Sequence, residues 1–473
     1  MDIVNQTNSD IISSFICEIP ARLADILPDK KVSVLSEDSE AAIALWDEDV
    51  RGRKPLAHKD GFILYNQTVC EQYELSKEET FALLMHEIGH AVNTIENENG
   101  GDPQQNNIAA DDFACELYDE SHLVDGLYKM MWHCNSADEK QPILDRIARI
   151  NIRRWNLPMP QKDYMVVIQC STYNQERYIE QTLQSFIMQK TDFSFCALLT
   201  DDCSTDHNVE IIQRYAEKYP DIIIPILLGE NHLQHGKPRN PYFDPWHKRA
   251  KYVAVCEGDD YWTDPYKLQK QVDFLETHPD YSLYCHNWKV YNEGVWEESP
   301  IHKRYTKPFS FTFATMPWVW ITKSLTLVYR MSDLDLALKY RYKYNRDVHT
   351  VYHLLQSGKG YYSPEVMAVY RTCDSGIWSK QDVNEKNRTT YLLYKELYSF
   401  EPNKPVRKRY MNATLAYFNG LAFGKKTWWH FATNAKLYFE ALRNISDAKD
   451  LVFCLGGLVP TQIVQWVMKT FKV

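Results

Sequence analysis

Apolar and polar positions follow one pattern in the first third of the chain and another in the rest. In the first part, short apolar runs at 31–35 and 61–65 predict strands. Ser76-Lys-Glu-Glu79 then matches a capping box, which predicts the start of a long helix. At 156–161 two prolines interrupt a basic helical pattern directly before a strongly apolar strand, so we predict a domain boundary there.

Beyond the boundary, apolar runs alternate with amphipathic stretches, a pattern typical of β-α-β units. The predicted strands are 165–168, 195–199, 222–228 and 252–255, and the predicted helices are 179–188 and 209–218. From about Val406 the pattern becomes helical and rich in aromatic residues. The predicted fold class is therefore α/β with a mainly parallel sheet, and the predicted regions are 1–157, 162–400 and 401–473.

Composition excludes several classes of protein. The chain has 473 residues, 44% of them hydrophobic, which is enough apolar surface for two or three packed domains. A net charge of −10 argues against nucleic acid as a partner. The 11 cysteines are scattered and never spaced as CxxC, which favours a reducing compartment. We see no secretory signal and no uninterrupted apolar stretch of spanning length, so a cytoplasmic protein is expected.

The C-terminal region differs in charge from the remainder. Residues 401–473 contain 11 Lys and Arg against 4 Asp and Glu, together with Trp428, Trp429 and a long apolar segment at 451–468. Such a combination suits a helix that lies peripherally on the cytoplasmic face of a membrane. It equally suits a helical lid packed on the preceding domain, and the sequence does not decide between them.

Polar residues follow three of the predicted strands, at 171–176, 201–206 and 257–260. In open α/β sheets ligands bind beyond the carboxyl ends of strands, so these clusters mark a candidate site. Glu257 and Asp259 are separated by one small residue and could both reach a Mg²⁺ or Mn²⁺ ion that keeps positions open for phosphate. The alternative is that each acidic turn merely caps a following helix.

These segments resemble the inverting family 2 glycosyltransferases, which have the GT-A fold. The matching segments are Val166-Val-Ile-Gln-Cys-Ser-Thr-Tyr-Asn174, Asp201-Asp-Cys-Ser-Thr-Asp206 and Glu257-Gly-Asp-Asp-Tyr-Trp-Thr-Asp-Pro-Tyr-Lys-Leu268. The third occupies the place of the family's DxD motif, with Glu257 where the first Asp stands. The resemblance extends over about 164–378, nearly half of the chain.

The resemblance implies roles for individual residues. Thr172, Glu176 and Asp202 would contact the nucleoside of the donor, and Asp259, with Glu257, would hold the metal ion on its diphosphate. The remaining donor-binding residues implied are Tyr173, Asp201, Asp260 and Arg371. Asp347 lies where the family's catalytic base deprotonates the acceptor hydroxyl, which inversion requires opposite the leaving diphosphate.

The implied activity is transfer of a single sugar from a nucleotide-diphosphate sugar to a glycan or lipid-linked acceptor. Two departures from the family pattern bear on it. Cys373 stands where family members often have a His after the Tyr370-Arg371 pair, so the contact of that His with diphosphate or metal is in doubt. The QxxRW motif of processive polysaccharide synthases is missing, which favours one transfer per encounter.

A second motif lies on the capped helix of the first region. His86-Glu-Ile-Gly-His90 puts two imidazoles on one helical face, with Glu87 placed to activate a metal-bound water. With the following helix near 108–117, this arrangement resembles small zincin-type metallopeptidase domains of α+β architecture.

In those domains the second helix supplies the third zinc ligand, but here Asn107 stands at that place. Asp111, one helical turn later, is the preferred substitute. The other candidates are Asp112, Glu96 and Glu98. A Zn²⁺ site with Glu87 as the hydrolytic base is thus one expectation, and a degenerate module kept for packing is the other.

Two further functions stay open at this point. The chain could be a zinc metallopeptidase with an appended nucleotide- or carbohydrate-binding module, or a scaffold with both sites inactive. Asp347 discriminates between the transferase and the metallopeptidase with a binding module, because a transferase needs a base and a binding module does not.

Overall fold

The computed structural model describes residues 2–6, 14, 31–36, 60–65, 67–96, 103–292, 294–317, 319–343, 346–372, 381–421 and 428–445. The chain divides into two compact units, 1–156 and 157–473.

The first unit combines a small parallel sheet with a group of helices. Its described elements are β1 (Asp2–Gln6), β2 (Lys31–Ser36), β3 (Asp60–Tyr65), α1 (Gln67–Gln72), α2 (Lys77–Glu96), α3 (Pro103–Leu117), α4 (Glu120–His133) and α5 (Ala137–Arg154). The strands pair in parallel in the order β1-β2-β3. The predicted capping box starts α2: the Ser76 N–H donates to Glu79 Oε2 at 2.7 Å, and the Glu79 N–H donates to Ser76 Oγ at 3.1 Å.

The second unit is built on one large sheet. Its described elements are β4 (Tyr164–Thr172), α6 (Ile179–Ile187), β5 (Phe195–Asp201), α7 (Asn208–Lys218), β6 (Ile223–Leu227), α8 (Asn240–His247), β7 (Ala250–Val255), β8 (Tyr261–Trp262), α9 (Lys267–Thr277), β9 (Tyr281–Asn292), β10 (Val295–Glu298), β11 (Phe309–Phe311), β12 (Val328–Arg330), α10 (Asp347–Ser357), β13 (Lys359–Thr372), α11 (Val383–Phe400), α12 (Lys404–Gly420) and α13 (Trp428–Arg443). Short 3₁₀ turns occur at Ser324–Thr326, Met331–Asp333 and Leu336–Arg341.

The described strands of this sheet run in the order β11-β13-β9-β12-β7-β4-β5-β6, with β10 paired to β9 and β8 paired to β13. The α/β class is confirmed, but the sheet is mixed rather than mainly parallel. Strands β7, β4, β5 and β6 are parallel, as predicted. Strand β12 is antiparallel to both of its neighbours and so separates this half from the parallel pair β9 and β13. Its three residues are too short to give a readable pattern in the sequence.

The parallel strands are covered on both faces, which explains their nearly continuous apolar sequences. Val166, Ile168 and Cys170 of β4 are completely buried in the same hydrophobic core as Leu183 and Phe186 of α6. The β-branched and apolar residues thus place β4 at the centre of the sheet. The polar ends of β4, β5 and β7 consequently meet at one edge.

The C-terminal helices α11 and α12 belong to the second unit's core. Tyr394 of α11 and Tyr410 of α12 lie in one core cluster with Tyr362 of β13. Arg409, one of the basic residues on which the predicted lipid surface depended, is 6% exposed and donates from Nη2 to the Met316 carbonyl oxygen at 2.9 Å. This part of the region therefore fits the packed alternative, whereas 451–468 and the side chains of Trp428 and Trp429 lie outside what is described. In the described part of the chain, no helix is long and apolar enough to cross a membrane.

Candidate active site

The end of β4 packs closely against the turn that follows β7. The Gly258 N–H donates to the Ser171 carbonyl oxygen at 2.9 Å. A Cβ added at Gly258 would lie 2.7 Å from Thr172 Oγ1 and 2.8 Å from Thr172 Cβ, so no larger residue fits. Thr172 Oγ1 donates to Gln175 Oε1 at 2.8 Å and accepts from Asn208 Nδ2 at 3.0 Å. The Thr172 side chain is therefore held in one orientation against the turn that contains Gly258.

Asp201 shapes the turn that follows β5. Its carboxylate accepts from the Ser204 N–H at 2.8 Å, from Ser204 Oγ at 2.5 Å and from Asn208 Nδ2 at 2.7 Å. These bonds hold the tight turn in which Cys203 has a φ of +63°. Asp201, which is predicted to bind the donor, thus holds the loop that follows β5.

Asp202 is also buried and holds a neighbouring loop. Its two oxygens accept from the His232 N–H at 2.8 Å and from the Leu233 N–H at 3.1 Å. Arg239 Nη1 lies 3.9 Å from Asp202 Oδ2. The carboxylate thus ties the 231–239 loop and the Arg239 cation to the strand ends.

Tyr173 and Glu176 lie at the surface beside these loops. The Tyr173 side chain is 38% exposed. Glu176 is exposed as well and accepts from the His207 N–H at 3.1 Å through Oε2. Both side chains are accessible to a bound nucleoside.

The turn Glu257–Asp260 is clamped from β13. The Arg371 N–H donates to the buried Asp260 Oδ1 at 2.8 Å, and Arg371 Nη1 donates to the Asp259 carbonyl oxygen at 2.7 Å. The Arg371 guanidinium also donates to Gln181 Oε1. Arg371 therefore fixes the backbone of the turn. The predicted site residue Arg371 is thus adjacent to the predicted site residues in 257–260.

Asp347 is the first residue of α10 and lies within electrostatic reach of Glu257. Trp320 Nε1 donates to Asp347 Oδ2 at 3.1 Å, and the Val348 N–H donates to Oδ1 at 2.9 Å. The carboxylate is accessible to solvent, yet the protein atoms around it desolvate it enough to raise its pKa. A raised pKa is typical of a carboxylate that can take up a proton.

The electrostatics show which charges share the cleft. Burial raises the pKa of Glu257 to about 7; the Arg239 cation opposes this shift, and the negative charges of Asp259 and Asp347 add to it. Asp347, distant in sequence, is therefore within electrostatic reach of the acidic turn. The structure thus brings together the residues predicted as metal ligands and as base.

Lys323, like Arg239, is a cation that sequence reasoning missed. Burial lowers its pKa, while the charges of Asp260, Asp347 and Asp259 oppose that effect. Its Nζ lies 3.6 Å from the centroid of the Tyr370 ring. Lys323 precedes the short turn before β12, and no local motif distinguishes it from a surface lysine.

Two carboxylates of the turn suit a divalent cation bound together with phosphate. Mg²⁺ commonly uses one or two protein carboxylates and completes its shell with water and substrate phosphates. In the described part of the chain, no group of three or more His, Cys, Asp or Glu side chains is arranged to hold a metal ion. Glu257 and Asp259 therefore do not form a complete protein site by themselves.

The HExxH helix in the first unit is arranged differently from the prediction. His86 Nδ1 lies 2.9 Å from Asp111 Oδ1, and His90 Nε2 lies 3.2 Å from Asn107 Oδ1. The two helices thus face each other as expected. However, Arg146 of α5 donates to both oxygens of Asp111, at 2.7 and 3.0 Å, and its Nη2 lies 3.1 Å from His86 Nε2.

The structure therefore does not support the predicted zinc site. A guanidinium cation already neutralises Asp111, the expected third ligand, and would be repelled by a second cation. Asp112 is not free either, since Arg149 and Arg153 bond to its Oδ1 at 2.7 and 2.6 Å. Glu87 is exposed, Glu96 is described only in its backbone, and Glu98 lies outside the described residues.

The geometry of the first unit explains the acidity of Asp111. Burial alone would raise the pKa of this carboxyl, but the hydrogen bonds from His86 and Arg146 outweigh it and lower the pKa to about 2. Asp111 and Arg146 thus form an internal ion pair, and His86 is hydrogen-bonded to the same carboxylate. The alternative interpretation, a module kept for packing, fits these contacts.

Comparison with known proteins agrees with the geometry of the second unit. Residues 168–330 match the family described as Glycosyl transferase family 2. Over 221 residues the chain is 34% identical to Uncharacterized protein Rv1520 of Mycobacterium tuberculosis, which covers 44% of this chain and 58% of that protein. Over 234 residues the chain is 26% identical to TuaG of Bacillus subtilis, which is described as a putative teichuronic acid biosynthesis glycosyltransferase. That alignment covers 49% of this chain and 88% of TuaG.

Among solved structures, TarS 1-349 of S. aureus in complex with UDP-GlcNAc aligns with 63% of this chain and 85% of its own, at 18% identity and a TM-score of 0.45. The chain spans little more than half the length of the mycobacterial relative. The residues that match the family, 168–330, lie in the second unit, whereas the HExxH motif lies in the first. The similarity to this family thus covers residues 168–330, less than half of the chain.

Proposed function

We propose that the second unit is an inverting glycosyltransferase that moves one sugar from a nucleotide-diphosphate donor to an acceptor hydroxyl. The observation that carries this proposal is that the Asp347 carboxylate lies within electrostatic reach of Glu257 in the turn after β7. A binding module would need the donor side alone. A transferase also needs a carboxylate on the acceptor side, and Asp347 would be that carboxylate.

The donor side would be formed by the ends of β4 and β5 and by the turn after β7. Thr172 and the exposed Tyr173 and Glu176 would face the nucleoside. The Arg239 cation, held beside Asp202, would attract the negatively charged diphosphate. Asp201 and Asp202 would contribute by fixing loops, rather than by direct contact.

When bound at Glu257 and Asp259, Mg²⁺ or Mn²⁺ would neutralise the charge that develops on the leaving diphosphate. Arg371 keeps the turn in the shape that this requires, by its bonds to Asp259 and Asp260.

On the acceptor side, Asp347 would accept the hydroxyl proton while the acceptor oxygen forms its bond to the anomeric carbon. The bond from that carbon to the diphosphate oxygen breaks on the opposite face, so the configuration inverts. The hydrogen bonds from Trp320 and Val348 hold the carboxylate of Asp347 in one orientation. A glycan or a lipid-linked sugar would supply the hydroxyl.

The test is a panel of nucleotide-diphosphate sugars with purified protein and Mn²⁺, scored by release of nucleoside diphosphate. Asp259→Ala should abolish metal-dependent donor binding. Asp347→Asn should keep donor binding and lower turnover by about 10² or more, the scale of a lost general base. The matched control is Asp163→Asn, because this carboxylate is 77% exposed and pairs only at the surface with Arg249.

Near-wild-type transfer by Asp347→Asn would remove this residue from the mechanism. Donor binding that persists without change in Asp259→Ala would contradict the assignment of the metal turn. We do not propose peptide hydrolysis by the first unit, because Arg146 occupies the side of the HExxH helix on which zinc would bind.

A further inference from the structure

A band of aromatic side chains extends outward from the acidic turn. It consists of Tyr178, Tyr261, Tyr291 and Trp296 together with Arg371, and we call it the aromatic band. The Arg371 guanidinium carbon lies 4.4 Å from the ring centroid of Tyr261 and 5.2 Å from that of Tyr178. The ring centroids of Tyr291 and Trp296 are 4.9 Å apart.

Strand register explains why these side chains share one face. Tyr291 of β9 pairs directly with Arg371 of β13, and Trp296 of β10 pairs directly with Tyr291. Tyr261 of β8 pairs with Val369, two residues before Arg371 and therefore on its face. Directly paired residues point to the same side of a sheet. The aromatic band is thus continuous from the clamp on Asp259 to the end of the β9–β10 hairpin.

The outer end of the aromatic band is open to solvent. Trp296 and its neighbour Val295 are each 56% exposed, and all four residues of β10 are exposed. A single exposed apolar residue needs no explanation, but an exposed tryptophan that continues a line of aromatic rings from the acidic turn indicates binding. The nucleoside-facing residues lie at β4 and β5, across the sheet from β9 and β13. The aromatic band therefore lies on the acceptor side.

We propose that the aromatic band is a platform on which the sugar rings of a carbohydrate acceptor stack. This inference rests on the proposed function, because it identifies the acceptor class of the same site. The C–H groups on one face of a sugar ring are attracted to the negative face of an aromatic ring. The hydroxyl groups at the ring edge find acceptors in the exposed Glu298, two residues after Trp296 and therefore on its face, and in the tyrosine hydroxyls.

Other occupants fit less well. An anionic membrane would be repelled by Glu297 and Glu298, and burying these carboxylates in lipid would be costly. A protein partner usually needs about 800 Å² on each side, which a four-residue strand with one large aromatic residue does not offer. A chain of sugar rings needs a narrow line of aromatic residues, and the aromatic band is such a line.

The test measures binding of the full chain to soluble oligosaccharides without any donor. The probes are oligomers of glucose, galactose, mannose, rhamnose and N-acetylglucosamine, measured by calorimetry. Trp296→Ala should weaken binding by about tenfold or more, the scale of losing a central aromatic contact. Trp296→Phe should retain most of the affinity, because it keeps an aromatic face. Trp132→Ala is the matched control, since Trp132 is 49% exposed and lies in the first unit.

Two results would overturn the platform: wild-type protein that binds no probe, and Trp296→Ala that binds as wild type does. Binding of nucleoside diphosphate with Mn²⁺ is measured on the same samples. This second measurement distinguishes failure of the aromatic platform from failure of the proposed transferase function. Intact nucleotide binding without Trp296-dependent sugar binding refutes only the platform. Trp296-dependent sugar binding without nucleotide binding refutes the transferase and leaves a carbohydrate-binding face.

Discussion

The ion pair between Asp111 and Arg146 gives the most sharply defined prediction for the first unit. Asp111 is completely buried, and Arg146 is 16% exposed in its side chain. We expect Asp111→Ala to leave the guanidinium of Arg146 and the imidazole of His86 without their anion. A buried cation that has lost its partner is far less favourable than the pair.

The magnitude follows from two considerations. A pKa lowered from 3.8 to about 2 corresponds to about 2 kcal/mol in favour of the ionised carboxylate in the folded unit. Truncation also leaves Arg146 uncompensated, and breaking buried pairs typically costs about 3–5 kcal/mol. We therefore expect Asp111→Ala to lower the free energy of unfolding of the first unit by about 3 kcal/mol.

The sign of the pH dependence follows from the lowered pKa. The stabilisation is fully present above the ordinary pKa of an aspartate, near pH 4, and is lost as the pH falls toward 2. Asp111→Asn should lack this acid-sensitive part, because an amide does not titrate in this range.

The assay is hydrogen exchange of the α2 amides in the full-length chain, which reports the stability of the first unit separately from the second. The double variant Asp111→Ala/Arg146→Met should lose less than the sum of the two single variants, by about 1 kcal/mol or more. The control is Asp145→Ala, because Asp145 is exposed, lies beside Arg146 in α5 and is hydrogen-bonded only to Gln141 among the contacts described. This control should change the free energy of unfolding by less than about 0.5 kcal/mol. Additive losses in the double variant would refute the ion-pair interpretation, and so would strong destabilisation of the wild type by a zinc chelator.

Two further predictions concern the second unit. Gly258→Ala should abolish donor binding and destabilise the unit by about 1–3 kcal/mol, because the added Cβ would lie 2.8 Å from Thr172 Cβ. Nucleotide titration measures the loss of binding, and thermal unfolding measures the loss of stability. Unchanged binding would contradict the close packing at Gly258. Lys323→Met should shift the acidic limb of the pH-rate profile to higher pH, because the positive charge of Lys323 lowers the pKa of Asp347 and the base acts only when ionised. The control Lys323→Arg keeps the positive charge and should leave the acidic limb in place. An unshifted limb in Lys323→Met would exclude this coupling between Lys323 and Asp347.

Local sequence was sufficient for much of the fold. The capping box at Ser76 and the apolar runs of β4, β5 and β7 predicted their elements, because capping and burial act over a few residues. The position of polar residues after these runs also predicted where the candidate site would form, since the ends of parallel strands meet at one edge. The antiparallel insertion of β12 was not predictable from three residues.

The site itself depended on contacts between distant parts of the chain. Sequence placed His86 and Asp111 near each other, but only tertiary packing brought Arg146 of a third helix between them and made an ion pair where a metal had been expected. Packing likewise placed Asp201 and Asp202 where their carboxylates hold loops through hydrogen bonds. It also brought Lys323 close enough to Asp347 to lower the pKa of that carboxyl. Residue types and spacing determine which chemistry a segment can perform, whereas burial and the charges that surround a group decide whether it binds a ligand, holds a loop or carries a proton.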